Sequence, residues 1–105
     1  MSEFKHISVQ EVADNASAYT IVDIRDPQSF ANGHMNDAMH LSNQNLAEFI
    51  ARAPKAQPVV VVCYHGISSQ QAAQMIAGQG FEDVYSMDGG FEAWRSSQSV
   101  VTSAS

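Results

Sequence analysis

The chain holds one cysteine, Cys63, and its neighbours decide whether it is packing material or a reagent. By default an unpaired cysteine behaves as a small buried hydrophobe. Here it closes the apolar run VVVVC and opens the stretch Tyr64, His65, Gly66, Ile67, Ser68, Ser69. That order reads as strand, tight loop, helix. Gly66 permits a sharp turn and close backbone approach. Ser68 and Ser69 are residue types that cap a helix N-terminus. A loop curled around Cys63 would aim its backbone N–H groups at the sulfur, and the helix would add its positive end. Both favour thiolate over thiol, and thiolate is the reactive form.

Two chemistries suit a thiolate in a nest of amides. Phosphoryl transfer by cysteine enzymes uses an arginine six positions after the cysteine, as a bidentate clamp on phosphate. That position is Ser69, and no Lys or Arg lies between Lys55 and Arg95. The loop is also one residue short for enclosing a tetrahedral phosphate. Sulfur transfer needs only a thiolate that attacks an outer, sulfane sulfur, and amides that hold the resulting persulfide anion. The loop fits the second chemistry better.

Other reactive side chains read differently. Asp23 and Arg25 lie at a strand end, and a buried ion pair supporting the next loop is the expected role, since such pairs serve the scaffold. His34 follows Gly33 at a helix end, where hydrogen bonding is expected rather than catalysis. His65 has two readings: a group that draws in an anionic donor or bonds its leaving group, or a residue on the solvent-facing rim. The four histidines and one cysteine show no metal-ligand spacing, so no metal is expected. Gly89-Gly90 lacks the longer glycine pattern and lysine of a phosphate loop and reads as a tight turn. Phe91 and Trp94 are expected in the core, with one of them at a pocket rim.

The elements that must carry these residues alternate between strand and helix. Strands are expected over 4–7, 20–24 (TIVDI), 38–41 and 59–63, then over 84–87. The fourth is apolar on both faces, as in the centre of a parallel sheet. Ser8 with Glu11 forms a capping box, Pro27 starts a short helix that Gly33 ends, and Ser42 caps a helix bearing Leu46, Phe49, Ile50 and Ala53 at helical spacing. A helix over 69–77 ends at Gly78 and Gly80, and a last one opens at Phe91. The fold class is therefore α/β with a mainly parallel sheet, whose ligands bind beyond the carboxyl ends of the strands.

With 105 residues, 45% of them apolar, the chain suits one domain over 1–95, followed by a serine-rich, flexible tail over 96–105. Its net charge of −6 argues against nucleic acid and anionic lipid surfaces. The first residues lack a signal-peptide pattern and the longest apolar run is too short to cross a bilayer, so a cytoplasmic protein with a reduced thiol is expected. Oligomeric state, monomer or weak dimer, is left open.

Over residues 4–94 the chain resembles the rhodanese family, in particular its small single-domain bacterial thiosulfate sulfurtransferases of the glycerol-regulon type. Four stretches carry the likeness: VDIRDPQSF (22–30), Gly33-His34, CYHGISS (63–69) and DGGFEAW (88–94). The resemblance implies a five-stranded mainly parallel sheet with helices on both faces. It implies that Cys63 forms the persulfide and that the six-residue loop from Cys63 to Ser68 selects sulfur over phosphorus substrates. Thiosulfate would be the donor and sulfite the leaving product. Cyanide, dithiols or a thioredoxin would be acceptors, with no cofactor required. Three positions depart from the family pattern: Ser29 where many relatives carry Glu, Asp37 where Gly is common, and Ile67 where the loop is often polar. A persulfide carrier or sulfur-relay module, a cysteine phosphatase and a non-catalytic interaction domain are the alternative readings.

Overall fold

The computed structural model of the chain describes residues 3–102. Its five strands are β1 (Lys5–Ile7), β2 (Thr20–Asp23), β3 (Met39–His40), β4 (Val59–Val62) and β5 (Val84–Met87). They form one parallel sheet in the order β1-β5-β4-β2-β3. The helices are α1 (Val9–Asp14), α2 (Pro27–Asn32), α3 (Leu46–Arg52), α4 (Ser68–Ala77) and α5 (Gly90–Ser97), with a 3-10 turn at Ala16–Ala18.

β4 lies at the centre and shows why the sequence reads as it does. Val59 and Val61 enter one apolar cluster with Phe49, Ala73 and Ile76 of α3 and α4. Val60 and Val62 enter the other, with Val12, Phe91 and Trp94 of α1 and α5. Side chains alternate across a strand, so four consecutive valines fill both faces. All four are fully buried, each contributing roughly 1.5–3 kcal/mol of hydrophobic stabilisation. The expected α/β architecture, with helices on both faces, is the one observed.

Local signals hold in part. Ser8 and Glu11 form the capping box, and Pro27 sits in the first turn of α2 with Gly33 at its end. Two caps move. Asn45, not Ser42, precedes α3; Ser42 Oγ instead accepts from the Gln44 N–H and the Ser42 N–H donates to Asn45 Oδ1, a turn that delays the helix. Ile67, not Ser68 or Ser69, precedes α4. The weak strand at 38–41 shrinks to Met39–His40 at the sheet edge.

The expected boundary at 95 falls inside α5, which runs to Ser97. Beyond it the chain folds back: the Trp94 indole donates to Ser99 O, and Val101 pairs antiparallel with His34. Residues 103–105 of the expected tail lie outside the described residues. Asp37, at a position where relatives often carry glycine, has φ +67°, the one non-glycine residue in the left-handed region among the described residues.

Candidate active site

Cys63 is the first residue after β4, at the carboxyl end of the central strand. The residue is 2% exposed. The backbone N–H of Gly66 donates to Sγ at 3.1 Å, and that of Ser69 at 3.2 Å. Ser69 is the second residue of α4, so the sulfur accepts a donor that an N-cap side chain would otherwise take. Ile67 has no acceptor to compete for it, and the ten-residue α4 points its positive end at the sulfur.

Burial pushes the Cys63 thiol up. The hydroxyls of Ser69 and Ser68 and the N–H groups of Ser69 and Gly66 outweigh it and bring the pKa down to about 7. Ser69 is itself fully buried, with its hydroxyl 2.7 Å from that of Ser86 on β5. Sequence reasoning missed Ser86, because a single serine within a strand carries no pattern.

A second segment shapes the loop. Gly89 and Gly90, expected only as a turn, have φ +77° and +61° and pack directly against residues 63–66. A Cβ on Gly90 would lie 2.6 Å from Cys63 O, His65 N and the Tyr64 carbonyl carbon. The N–H groups of Phe91 and Glu92, in the first turn of α5, donate to the carbonyls of Cys63 and Tyr64 at 2.8 and 3.1 Å. One helix end therefore draws the loop carbonyls to one side, leaving N–H groups for the sulfur. Gly66 fits the same junction: its φ is +86°, and a Cβ there would meet Gly89 N at 2.8 Å. The DGG stretch was the available signal, but its long-range role was not legible.

The remaining expected residues divide into support and rim. Arg25 and Asp23 form a buried pair, with Nη2 to Oδ2 at 2.8 Å and Nε to Oδ1 at 3.0 Å. Arg25 also donates to Gly33 O at 2.7 Å, and its guanidinium lies 3.9 Å from the centroid of Phe91. The pair thus ties the β2–α2 connection to α5 and does not touch the sulfur. His34 Nδ1 lies 2.8 Å from Phe30 O, with its ring stacked on Phe30. Tyr64 turns its hydroxyl onto the carboxylate of Asp26, the N-cap of α2. His65 is exposed, and Ile67 is 75% exposed beside it. Among the described residues, no three His, Cys, Asp or Glu side chains gather as a metal site, and no helix is long and apolar enough to cross a membrane.

The arrangement is a cysteine sulfur held by amides and hydroxyls at a helix N-terminus, without an arginine over it. Comparison with known proteins agrees with this geometry. A thiosulfate sulfurtransferase GlpE of Shewanella oneidensis is 58% identical over 96 residues, covering 90% of this chain and 95% of that protein. One of Vibrio cholerae is 55% identical over 97 residues, covering 90% and 91%. The crystal structure of a rhodanese-related protein from Thermoplasma volcanium superposes with a TM-score of 0.81 at 24% identity, covering 93% of this chain and 98% of that one. A rhodanese-like domain protein from Staphylococcus aureus gives 0.81 at 20% identity, covering 96% and 100%. The family model for the rhodanese-like domain matches residues 8–97, and with relatives this similar over most of its length the chain belongs to the rhodanese-like family.

Proposed function

We propose that the protein is a thiosulfate sulfurtransferase that works through a persulfide on Cys63. The observation that carries this is the pair of N–H donors on Sγ, from Gly66 and Ser69, with Ser69 where a phosphate-binding enzyme would need arginine. The names of the curated relatives, from 51% to 58% identical, support the donor. In the first step the Cys63 thiolate attacks the outer sulfur of thiosulfate. An S–S bond forms at Cys63, the donor's S–S bond breaks, and its electron pair leaves with sulfite. The loop N–H groups not spent on the protein's own oxygens remain for the outer sulfur of the persulfide. In the second step an acceptor such as cyanide or a thiol takes that sulfur and Cys63 returns to thiolate, a ping-pong scheme with a covalent intermediate. A reduced cytoplasm would keep Cys63 ready.

The test is intact mass after thiosulfate treatment, alongside steady-state turnover with cyanide. The wild type should gain one sulfur atom and turn over; Cys63→Ser should do neither. Equal turnover by Cys63→Ser would overturn the mechanism. Loading of the wild type without turnover would instead identify a persulfide carrier.

Ile67, exposed on the rim with Tyr64, supports a protein acceptor such as a reduced thioredoxin. Ile67→Asn should raise KM for that acceptor several-fold and leave cyanide kinetics alone. Unchanged thioredoxin kinetics would remove Ile67 from the reading.

A further inference from the structure

Ser86 places a hydroxyl in the apolar core. It lies opposite His6 on β1 and Val61 on β4, in a strand whose other residues are Val84, Tyr85 and Met87. Side chains alternate along a strand, so Ser86 shares a face with Val84, which packs with Val61, Ala73 and Ile76. A buried hydroxyl costs stability unless it is hydrogen-bonded. This fully buried one meets the equally buried Ser69 hydroxyl at 2.7 Å. An alanine would fill the same space without that demand, so packing alone gives position 86 no use for a hydroxyl.

The use comes from counting protons. A serine hydroxyl has one proton to donate and two lone pairs with which to accept. The Ser69 N–H stands 3.2 Å from Cys63 Sγ, and the Ser69 hydroxyl is the strongest of the donors acting on that sulfur. Its one proton is then spent. In the 2.7 Å contact Ser69 Oγ can only accept, so the proton there belongs to Ser86. The opposite order would turn a Ser69 lone pair toward the sulfur, where an anion repels it. Linked hydrogen bonds also polarise one another, so a donor on Ser69 Oγ strengthens the bond that Ser69 gives. Cys63, Ser69 and Ser86 are all buried, which keeps water from taking the place of Ser86.

Charged groups on the neighbouring elements stand apart from this chain of hydroxyls. Asp23 pairs with Arg25, Glu92 with Arg95, and Asp88 bonds His6. His65 is exposed, and β4 and α4 carry no charged residue.

We propose that Ser86 is a positioning residue for sulfur transfer: its hydroxyl donates to Ser69 Oγ and so commits the single Ser69 proton to Cys63 Sγ. The proposal rests on the sulfur-transfer reading and adds to it a residue on β5 that never touches the sulfur.

The experiment is a double-mutant cycle of Ser69→Ala, Ser86→Ala and the double variant. Each protein is read by ultraviolet titration of the thiolate and by single-turnover loading with thiosulfate across pH. Ser86→Ala leaves Ser69 its bond to sulfur and strands no donor, so it should fold. A neutral hydrogen bond corresponds to about 0.4–1 pKa unit, so Cys63 should move from about 7 to roughly 7.4–8. Loading at pH 7 should slow about two- to fivefold and recover above about pH 9. In the Ser69→Ala background, Ser86→Ala should add no further shift, because a residue acting through Ser69 has nothing left to act on. A Ser86→Ala thiol that titrates as the wild type does would overturn the proposal. So would an equal shift with and without the Ser69 hydroxyl, which would mark a packing effect. A wild type that titrates near 7 yet takes no sulfur would overturn the sulfur-transfer reading, and this role of Ser86 with it, while the titration cycle still reports the order of the hydrogen bonds.

Discussion

Ser69→Ala is the sharpest perturbation of the nest, because it removes a hydroxyl and keeps the N–H. Burial raises the Cys63 pKa, and the Ser69 hydroxyl is the strongest of the groups that oppose it. A hydrogen bond to a charged partner is worth about 1.5–3 kcal/mol. At ~1.36 kcal/mol per pKa unit, its loss should lift Cys63 by about one to two units. The pKa would move from about 7 to roughly 8–9. At pH 7 the thiolate fraction would drop from about half to between ~1% and ~10%. Persulfide loading, which needs thiolate, should slow by roughly five- to fiftyfold at that pH and recover most of its rate above about pH 9.

The assay is ultraviolet titration of the thiolate with Cys63→Ser subtracted, beside single-turnover loading across pH. The variant also strands the buried Ser86 hydroxyl, which lies 2.7 Å from its Ser69 partner. That costs about 1–3 kcal/mol of stability. The Ser69→Ala/Ser86→Ala double variant replaces both partners and should regain much of that stability while keeping the raised pKa, which separates electrostatics from folding. A Ser69→Ala thiol that still titrates near 7 would refute the account. So would a loading defect that alkaline pH does not relieve.

Two further outcomes follow from the geometry. Gly90→Ala puts a methyl 2.6 Å from the loop backbone, so turnover with thiosulfate and cyanide should fall on the order of 100-fold, the scale of a 1 Å misplacement. Gly80→Ala, at φ +96° but with nothing within 4 Å, should cost only ~1–2 kcal/mol of stability and keep turnover; equal activity of the two variants would refute the packing argument. The pH dependence of stability has a definite sign, because the folded pKa of Cys63, about 7, lies below the unfolded value of ~8.5. The thiolate's contribution is absent below the folded value and complete above the unfolded one. Urea unfolding should therefore show the wild type gaining about 2 kcal/mol over Cys63→Ser between about pH 6 and 9, and a constant difference would contradict the depressed pKa.

Much of the scaffold is legible in the sequence where the cause is local. The four valines of β4 announce a strand buried on both faces, and Ser8 with Glu11 announces a helix start. Cys63 stands out because a strand, a glycine loop and a helix meet there. Features set by distant contacts are not legible. Nothing near Gly90 says that it lies under residues 63–65, and nothing near Ser86 says that its hydroxyl meets Ser69. Ser42 and Asn45 are both good capping residues, and only the turn between them decides which one starts α3. The stretch after Trp94 looks like a tail by composition, yet the indole and His34 supply backbone and side-chain partners that hold it through residue 101.

The choice of sulfur over phosphorus rests on the same long-range contacts. Sequence offers only the missing arginine at position 69. The structure shows that the Ser69 side chain is fully buried, with its hydroxyl 2.7 Å from that of Ser86. A clamp for a phosphate dianion must stand over the nucleophile and neutralise charge there. This buried position instead stabilises the sulfur by hydrogen bonds that strengthen as Cys63 ionises. Such bonds suit an anion whose charge stays on sulfur, as it would on the thiolate and then on the proposed persulfide. With Ile67 contributing no side-chain acceptor, the first turn of α4 keeps the Ser69 N–H for that anion.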